Sequence, residues 1–346
     1  MFCKAIVRGL LAAAVMASAV AARAVTIDLV PVGNAGNAAD TRYNSISVGA
    51  VAKAYAIGKY EITAGQYRDF LNAVAATDTY GVYSTAMGDP TGSLGCNIQR
   101  GGTPGSYTYS VPSDPVNGFW ADRPVNWVSW GDAARFANWL HNNQPTGTQG
   151  LTTTEDGAYY LNGATSVSAL MAVMRQADAK WWIPSEDEWY KAAYHDKTAG
   201  LAATYFDYPT KSNTAPINTL PDPGNHANFY DQFDTGNSKY TIGSPYYSTD
   251  VGAFGKSDSP YGTFDQGGNV LEWNETDVYG YRGWRGGYWG NNSNSLAASY
   301  RYIADPPTYE YYGIGFRVAS LPEPGSLVML AGIALTALLY WWRKHV

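Results

Sequence analysis

No stretch of this chain holds a single hydrophobic period for long, and that limits what it can fold into more than any other feature. Helical spacing is confined to short runs. Thr63-Ala64-Gly65-Gln66 is a capping box, in which two side chains satisfy backbone donors at a helix start, and Tyr67, Phe70, Leu71 and Val74 follow at i, i+3, i+4 and i+7. Ser129 caps a second run, with Ala133, Phe136, Ala137 and Leu140 at the same spacing. Ser185-Glu186-Asp187-Glu188 is another capping box, backed by Trp189, Ala192 and Ala193. Its acids sit where a helix start favours negative charge. Each run predicts a helix of about ten residues. A further short helix is expected at 168–176, inside an insertion spanning 142–180. AYAIGKYEIT (54–63) reads as two strands with a turn near Gly58-Lys59, and 81–118 as a long surface loop rich in Gly, Ser, Tyr and Pro. Strand–helix alternation long enough for a parallel sheet is missing, and no segment repeats at a fixed interval. The expected class is α+β with much irregular structure.

Both ends read as targeting segments rather than fold. Residues 1–24 place Lys4 and Arg8 before an apolar run from Gly9 to Ala22, then Ala22-Arg23-Ala24, a small-x-small cleavage pattern. This predicts a signal peptide cut after Ala24. At the other end, Leu327 to Trp342 is an uncharged run flanked by Arg343-Lys344. At ~1.5 Å per residue it would span roughly 24 Å, close to a ~30 Å hydrocarbon core. A transmembrane helix over 327–342 is expected, its basic end cytoplasmic and everything upstream exported.

The chain has 23 Lys+Arg and 29 Asp+Glu. Setting aside Lys4, Arg8, Arg23, Arg343, Lys344 and Glu323 leaves 18 against 28, a net charge near −10. Such a surface disfavours nucleic acid and suits a hard cation. With Cys3 lost in the signal peptide, Cys96 is the only thiol, so no internal disulfide can form. Stability must come from the core or from bound metal, and 12 Trp, 28 Tyr and 10 Phe can supply a core. His141, His195 and His226 show no His-x-x-x-His spacing, and Gly-x-Ser-x-Gly, P-loop and Cys-x-x-Cys motifs are missing. The Gly/Asn/aromatic loop RGGYWGNNSNSLAASYRY (285–302) has the composition of a binding site, yet contains no Cys, His, Asp or Glu.

Six segments in order carry a resemblance: GKYEITAGQYRDFLNAV (58–74), RPVNWVSWGDAARFANWL (123–140), WWIPSEDEWYKAAY (181–194), YGTFDQGGNVLEWNET (261–276), RGGYW (285–289) and GFRVAS (315–320). Together they resemble the sulfatase-modifying-factor family, which includes the formylglycine-generating enzyme. The resemblance covers about 46–320. It implies one domain with a C-type-lectin-related fold, short helices and strands, and bound calcium. Oxidising members hold copper(I) on two cysteines five residues apart after the Gly-Gly. Counted from Gly286-Gly287, those positions are Asn291 and Leu296 here. Neither side chain is a thiolate ligand, so no copper and no formylglycine chemistry are expected. The iron-dependent sulfoxide synthases of the same superfamily use three histidines and an extra helical domain, for which this chain has neither spacing nor room.

Asp265-Gln-Gly-Gly268-Asn-Val270-Leu-Glu272 places carboxylates at both ends of a Gly-bent loop with carbonyls between, an all-oxygen set suited to calcium. The resemblance implies the Asp265 and Glu272 side chains and the Gly268 and Val270 carbonyls as ligands. It also implies a second site at Asn228 and the Phe229 carbonyl, where the usual downstream ligands do not align and Asp231 or Asp234 would substitute.

Pro322-Glu323-Pro324, an apolar helix and a basic end (321–346) resemble a PEP-CTERM sorting tail. That implies an exosortase-type transpeptidase as partner, in a bacterium that makes exopolysaccharide. The prolines would keep the tripeptide extended just outside the bilayer. The expectation is an exported domain, anchored in the inner membrane with its fold in the periplasm and then released to the surface or matrix. There it would bind or scaffold polysaccharide or an envelope protein without catalysis. Two alternatives stay open: an oxidoreductase of the same family using another site, and a lectin-like polysaccharide binder using Tyr279, Tyr281 and Trp284.

Overall fold

The computed structural model describes residues 24–43, 47–113, 119–232, 239–301 and 305–322. Its helices start where the hydroxyl caps stand. Helix α1 (Ala64–Val74) is capped by Thr63, α2 (Trp130–His141) by Ser129 and α4 (Glu186–Tyr194) by Ser185. All three carry the full reciprocal box, closed by Gln66, Asp132 and Glu188 respectively. The short α3 (Val167–Met171) is capped by Ser166 and ends well before residue 176.

The strands are short and gather from distant parts of the chain. Strands β1 (Leu29–Val32), β2 (Tyr55–Gly58), β9 (Ala319–Ser320) and β5 (Trp181–Trp182) form one antiparallel sheet in that order. β1 lies upstream of residue 46, the expected domain start, and pairs along its whole length with β2. A second sheet, ordered β7 (Tyr281–Arg285), β6 (Leu271–Val278), β8 (Ile314–Gly315), joins an antiparallel hairpin to a short parallel strand. A bulge lies between Trp273 and Asp277.

Two readings of the sequence give way here. Residues 54–63 are not a hairpin: only β2 is a strand, and the Gly58 amide donates to the carbonyl of Val318 instead of starting a turn. The stretch 81–118 is not simply surface loop. It contains the β3 (Gln99–Gly101) and β4 (Thr108–Ser110) ribbon and buries Val82, Met87, Cys96 and Ile98.

Aromatic side chains do fill the centre. Tyr67, Phe70, Phe136, Trp139 and Phe316 pack edge-to-face and offset, joining α1, α2 and the C-terminal segment. Among the described residues no helix is long and apolar enough to cross a membrane. Residues 1–23 of the expected signal peptide, the 327–342 helix, Glu323 and Pro324 all lie outside the described residues.

Candidate functional site

The β6–β7 hairpin and the loop before it hold most of the expected site residues. Glu272 on β6 is fully buried, and both its oxygens accept from Arg317, at 2.5 Å from Nε and 2.6 Å from Nη2. Trp189 Nε1 donates to the same carboxylate at 2.7 Å. Arg317 is itself fully buried and also donates to the carbonyls of Gly58 and Phe264, so its guanidinium ties β2, β6 and the 264–272 loop together. The GFR segment therefore supplies the counter-ion for the LEW segment, a pairing across 45 residues that spacing alone does not reveal.

A third carboxylate, which the sequence did not single out, completes the cluster. Glu61 is buried and accepts from the Asn269 side chain and the Val270 amide, at 3.1 and 3.3 Å. Burial raises its pKa well above the carboxylate range, and Asp265 and Glu272 add repulsion. Asp265 stands in left-handed backbone (φ 59°) and accepts from the Gly252 amide at 2.6 Å; burial pushes its carboxyl up to about 6. Three acids thus share one guanidinium. Burial holds Glu61 and Asp265 toward their neutral forms, which a divalent cation would reverse, although Arg317 and Trp189 already occupy most of the Glu272 lone pairs. Among the described residues, no group of three or more His, Cys, Asp or Glu side chains is arranged as a metal cage. A cation here would lean on Asp265 and on the Gly268 and Val270 carbonyls.

The structure brings the second expected calcium segment against the first. Asn228 bridges to Gly268, and its Nδ2 donates to Asn269 Oδ1 at 3.0 Å. The approach is close enough that a Cβ on Gly268 would stand 2.1 Å from the Asn228 carbonyl, so only glycine fits. Asn228 Oδ1 is buried without a hydrogen-bond partner among the described residues, an acceptor in the place where a cation ligand is expected. The Phe229 carbonyl, by contrast, already accepts from Asn218 Nδ2 at 3.0 Å. Asp234 lies outside the described residues.

The loop after β7 is clamped at both ends by one residue. Arg285 and Arg301 both bind Glu186 at the start of α4, with Nη2 to oxygen distances of 2.7 and 2.5 Å. Between the clamps, Asn291 and Leu296 diverge. Leu296 is fully buried beside Ala227 and Phe229, where it is core. Asn291 lines a cavity of about 270 Å³ with the buried side chains of Leu271, Trp284 and Ile314. Tyr288, Tyr309, Tyr311 and Asp305 complete it. The donor set holds no thiol, so copper(I) does not fit here. Cys96 lies apart, buried, with its thiol pushed up to about 11.

The remaining candidates do not converge. His195 bonds Tyr261 and the Ala202 carbonyl, His226 bonds the Thr219 carbonyl, and His141 accepts from the Lys180 amide. Each is a structural hydrogen-bonding residue. Tyr279 is 82% exposed at the hairpin tip, whereas Trp284 is only 6% exposed, so these two cannot form one exposed platform.

This α+β architecture of short capped helices and small sheets is shared with solved proteins. The structure resembles one described as the crystal structure of CarF, with a TM-score of 0.50 at 20% identity, covering 86% of this chain and 99% of that one. It also resembles variable protein 1 of Treponema denticola, with a TM-score of 0.50 at 18% identity, covering 85% and 95%. At the level of sequence, the model of the sulfatase-modifying factor enzyme 1-like domain matches residues 14–321, and the chain belongs to that family. A search of curated proteins finds no sequence match.

Proposed function

We propose that this member of the family is an exported, envelope-anchored domain that binds or scaffolds a component of the surface matrix, is stabilised by calcium and does not oxidise cysteine. The observation that carries the reading is the fate of the two family cysteine positions: one is an asparagine on a cavity wall and the other a leucine in the core. Without a pair of thiolates there is no soft-metal site on which oxygen could be activated. Glu186 and its two arginines tie the ends of the loop together, a fixed frame that supports a binding role.

The experiment is direct. The purified chain, given copper(I) and a peptide carrying Cys-x-Pro-x-Arg, should yield no aldehyde detectable by mass spectrometry. Aldehyde above the copper-only background would overturn the reading. For the envelope part of the proposal, the support is the sequence of the two ends, with an exosortase-type transpeptidase as the partner. Mass spectrometry of surface material should find a form that begins at Val25 and lacks 327–346. Recovery of the intact C-terminal helix as the sole form would leave a plain membrane anchor.

A further inference from the structure

The cavity at Asn291 has a lining that non-catalytic scaffolding by itself does not require. Tyr309 and Tyr311 stack at 5.9 Å with their planes 17° apart, and Tyr288 meets Tyr311 edge-on, 5.8 Å away at 84°. Tyr288 is held in place by close backbone: a Cβ on Gly313 would stand 2.7 Å from its ring. The Tyr288 and Tyr311 hydroxyls lie 3.2 Å apart, able to donate or accept. Asn291 Oδ1 accepts from the Tyr288 amide at 3.2 Å, and its side-chain Nδ2 donates to none of the described residues. Asp305 has no ion pair or side-chain hydrogen bond among the described residues, and burial alone raises its pKa. A half-buried carboxylate without a partner is costly unless something supplies donors.

We infer that this cavity is a subsite for one uncharged pyranose residue of a polysaccharide, an inference that rests on the binding reading above. A sugar ring offers apolar C–H faces for tyrosine and hydroxyls for hydrogen bonds, which matches this lining group by group. Asp305 takes two hydroxyl donors, Asn291 Nδ2 and the Tyr288 and Tyr311 hydroxyls take the ring and hydroxyl oxygens, and the Tyr309 ring, 39% exposed at the rim, stacks on the next face. The volume is below the ~300–1,000 Å³ of drug-sized pockets, which suits a single ring with its neighbours left outside. The lone carboxylate repels uronic acids and other anions. A methylated ammonium would enjoy the tyrosine faces but leave the amide and both hydroxyls unused.

The test titrates the full-length chain, in a sugar-free detergent, with neutral trisaccharides of glucose, galactose and mannose, and with glucosamine trimer and tetramethylammonium as cationic controls. At least one neutral trisaccharide should bind, measured by calorimetry. Tyr309→Ala and Asp305→Asn should each weaken it about tenfold or more without changing the melting temperature. Tyr279→Ala, at the hairpin tip, should leave binding unchanged. Absence of binding by every neutral sugar, binding by the cations only, or neutral-sugar binding indifferent to both cavity substitutions would each overturn the inference. A negative result here together with no aldehyde formation would leave the non-catalytic reading standing, because the two readouts are independent.

Discussion

Glu272→Ala should lower the stability of this protein by about 3–5 kcal/mol, the cost of breaking a buried ion pair by removing one partner. The substitution leaves the Arg317 guanidinium, fully buried, with carbonyl contacts but without the one carboxylate that bonds it directly, and leaves Trp189 Nε1 without its acceptor. Urea unfolding should show the loss as a lower midpoint at similar slope. Adding Arg317→Met should recover part of it, since the stranded charge is then gone. A loss below about 1 kcal/mol would mean the pair is solvated and is not a buried centre.

The same cluster sets how calcium must be tested. Because Glu272 is tied to Arg317, its removal confounds metal loss with ion-pair loss, and Asp265→Ala is the cleaner probe. EDTA should lower the melting temperature by several degrees at pH 7.5, and calcium should restore it better than magnesium, whose octahedral demand suits a carbonyl-rich loop poorly. A ligand at a hundredfold excess over Kd stabilises by about 2.7 kcal/mol. Asp265→Ala should abolish the response while Asn291→Ala keeps it. An EDTA-insensitive protein with no copurified calcium would sink the proposal.

Asp132→Asn should make the protein more stable at pH 8, by about 2–4 kcal/mol, and flatten its stability between pH 4 and 7. Asp132 closes the capping box of α2, its Oδ2 accepting from the Ser129 amide and hydroxyl at 2.9 and 2.6 Å. It is buried, and that burial, with the charge of Glu310 adding to it, pushes its carboxyl up to about 7. The folded pKa lies above the unfolded one, so the folded state binds the proton more tightly. The stabilisation is therefore fully present below about pH 4 and is lost as pH rises through about 7. Asparagine keeps an acceptor for the cap without a charge to bury. Thermal melts of both proteins from pH 4 to 8 decide it: unchanged pH dependence in the variant would show that Asp132 does not titrate in this window.

Local features of this chain were legible wherever the interaction lies within one turn. Thr63, Ser129 and Ser185 start helices because a hydroxyl three residues from the amide it caps needs nothing from the rest of the chain. The six ordered segments likewise carried the family, and both positions counted from the Gly-Gly, Asn291 and Leu296, follow β7. What the sequence could not decide was what each residue faces. Asn291 and Leu296 are five positions apart in one irregular loop, yet one lines a cavity and the other is core. Irregular backbone has no period from which a facing side can be read. Glu272 and Arg317 meet across 45 residues and Glu61 joins them from about two hundred residues upstream, while Arg285 and Arg301 converge on Glu186 across about a hundred. Such pairings exist only after the sheets have closed, because a charge chooses its partner by what shares its burial and not by its place in the chain.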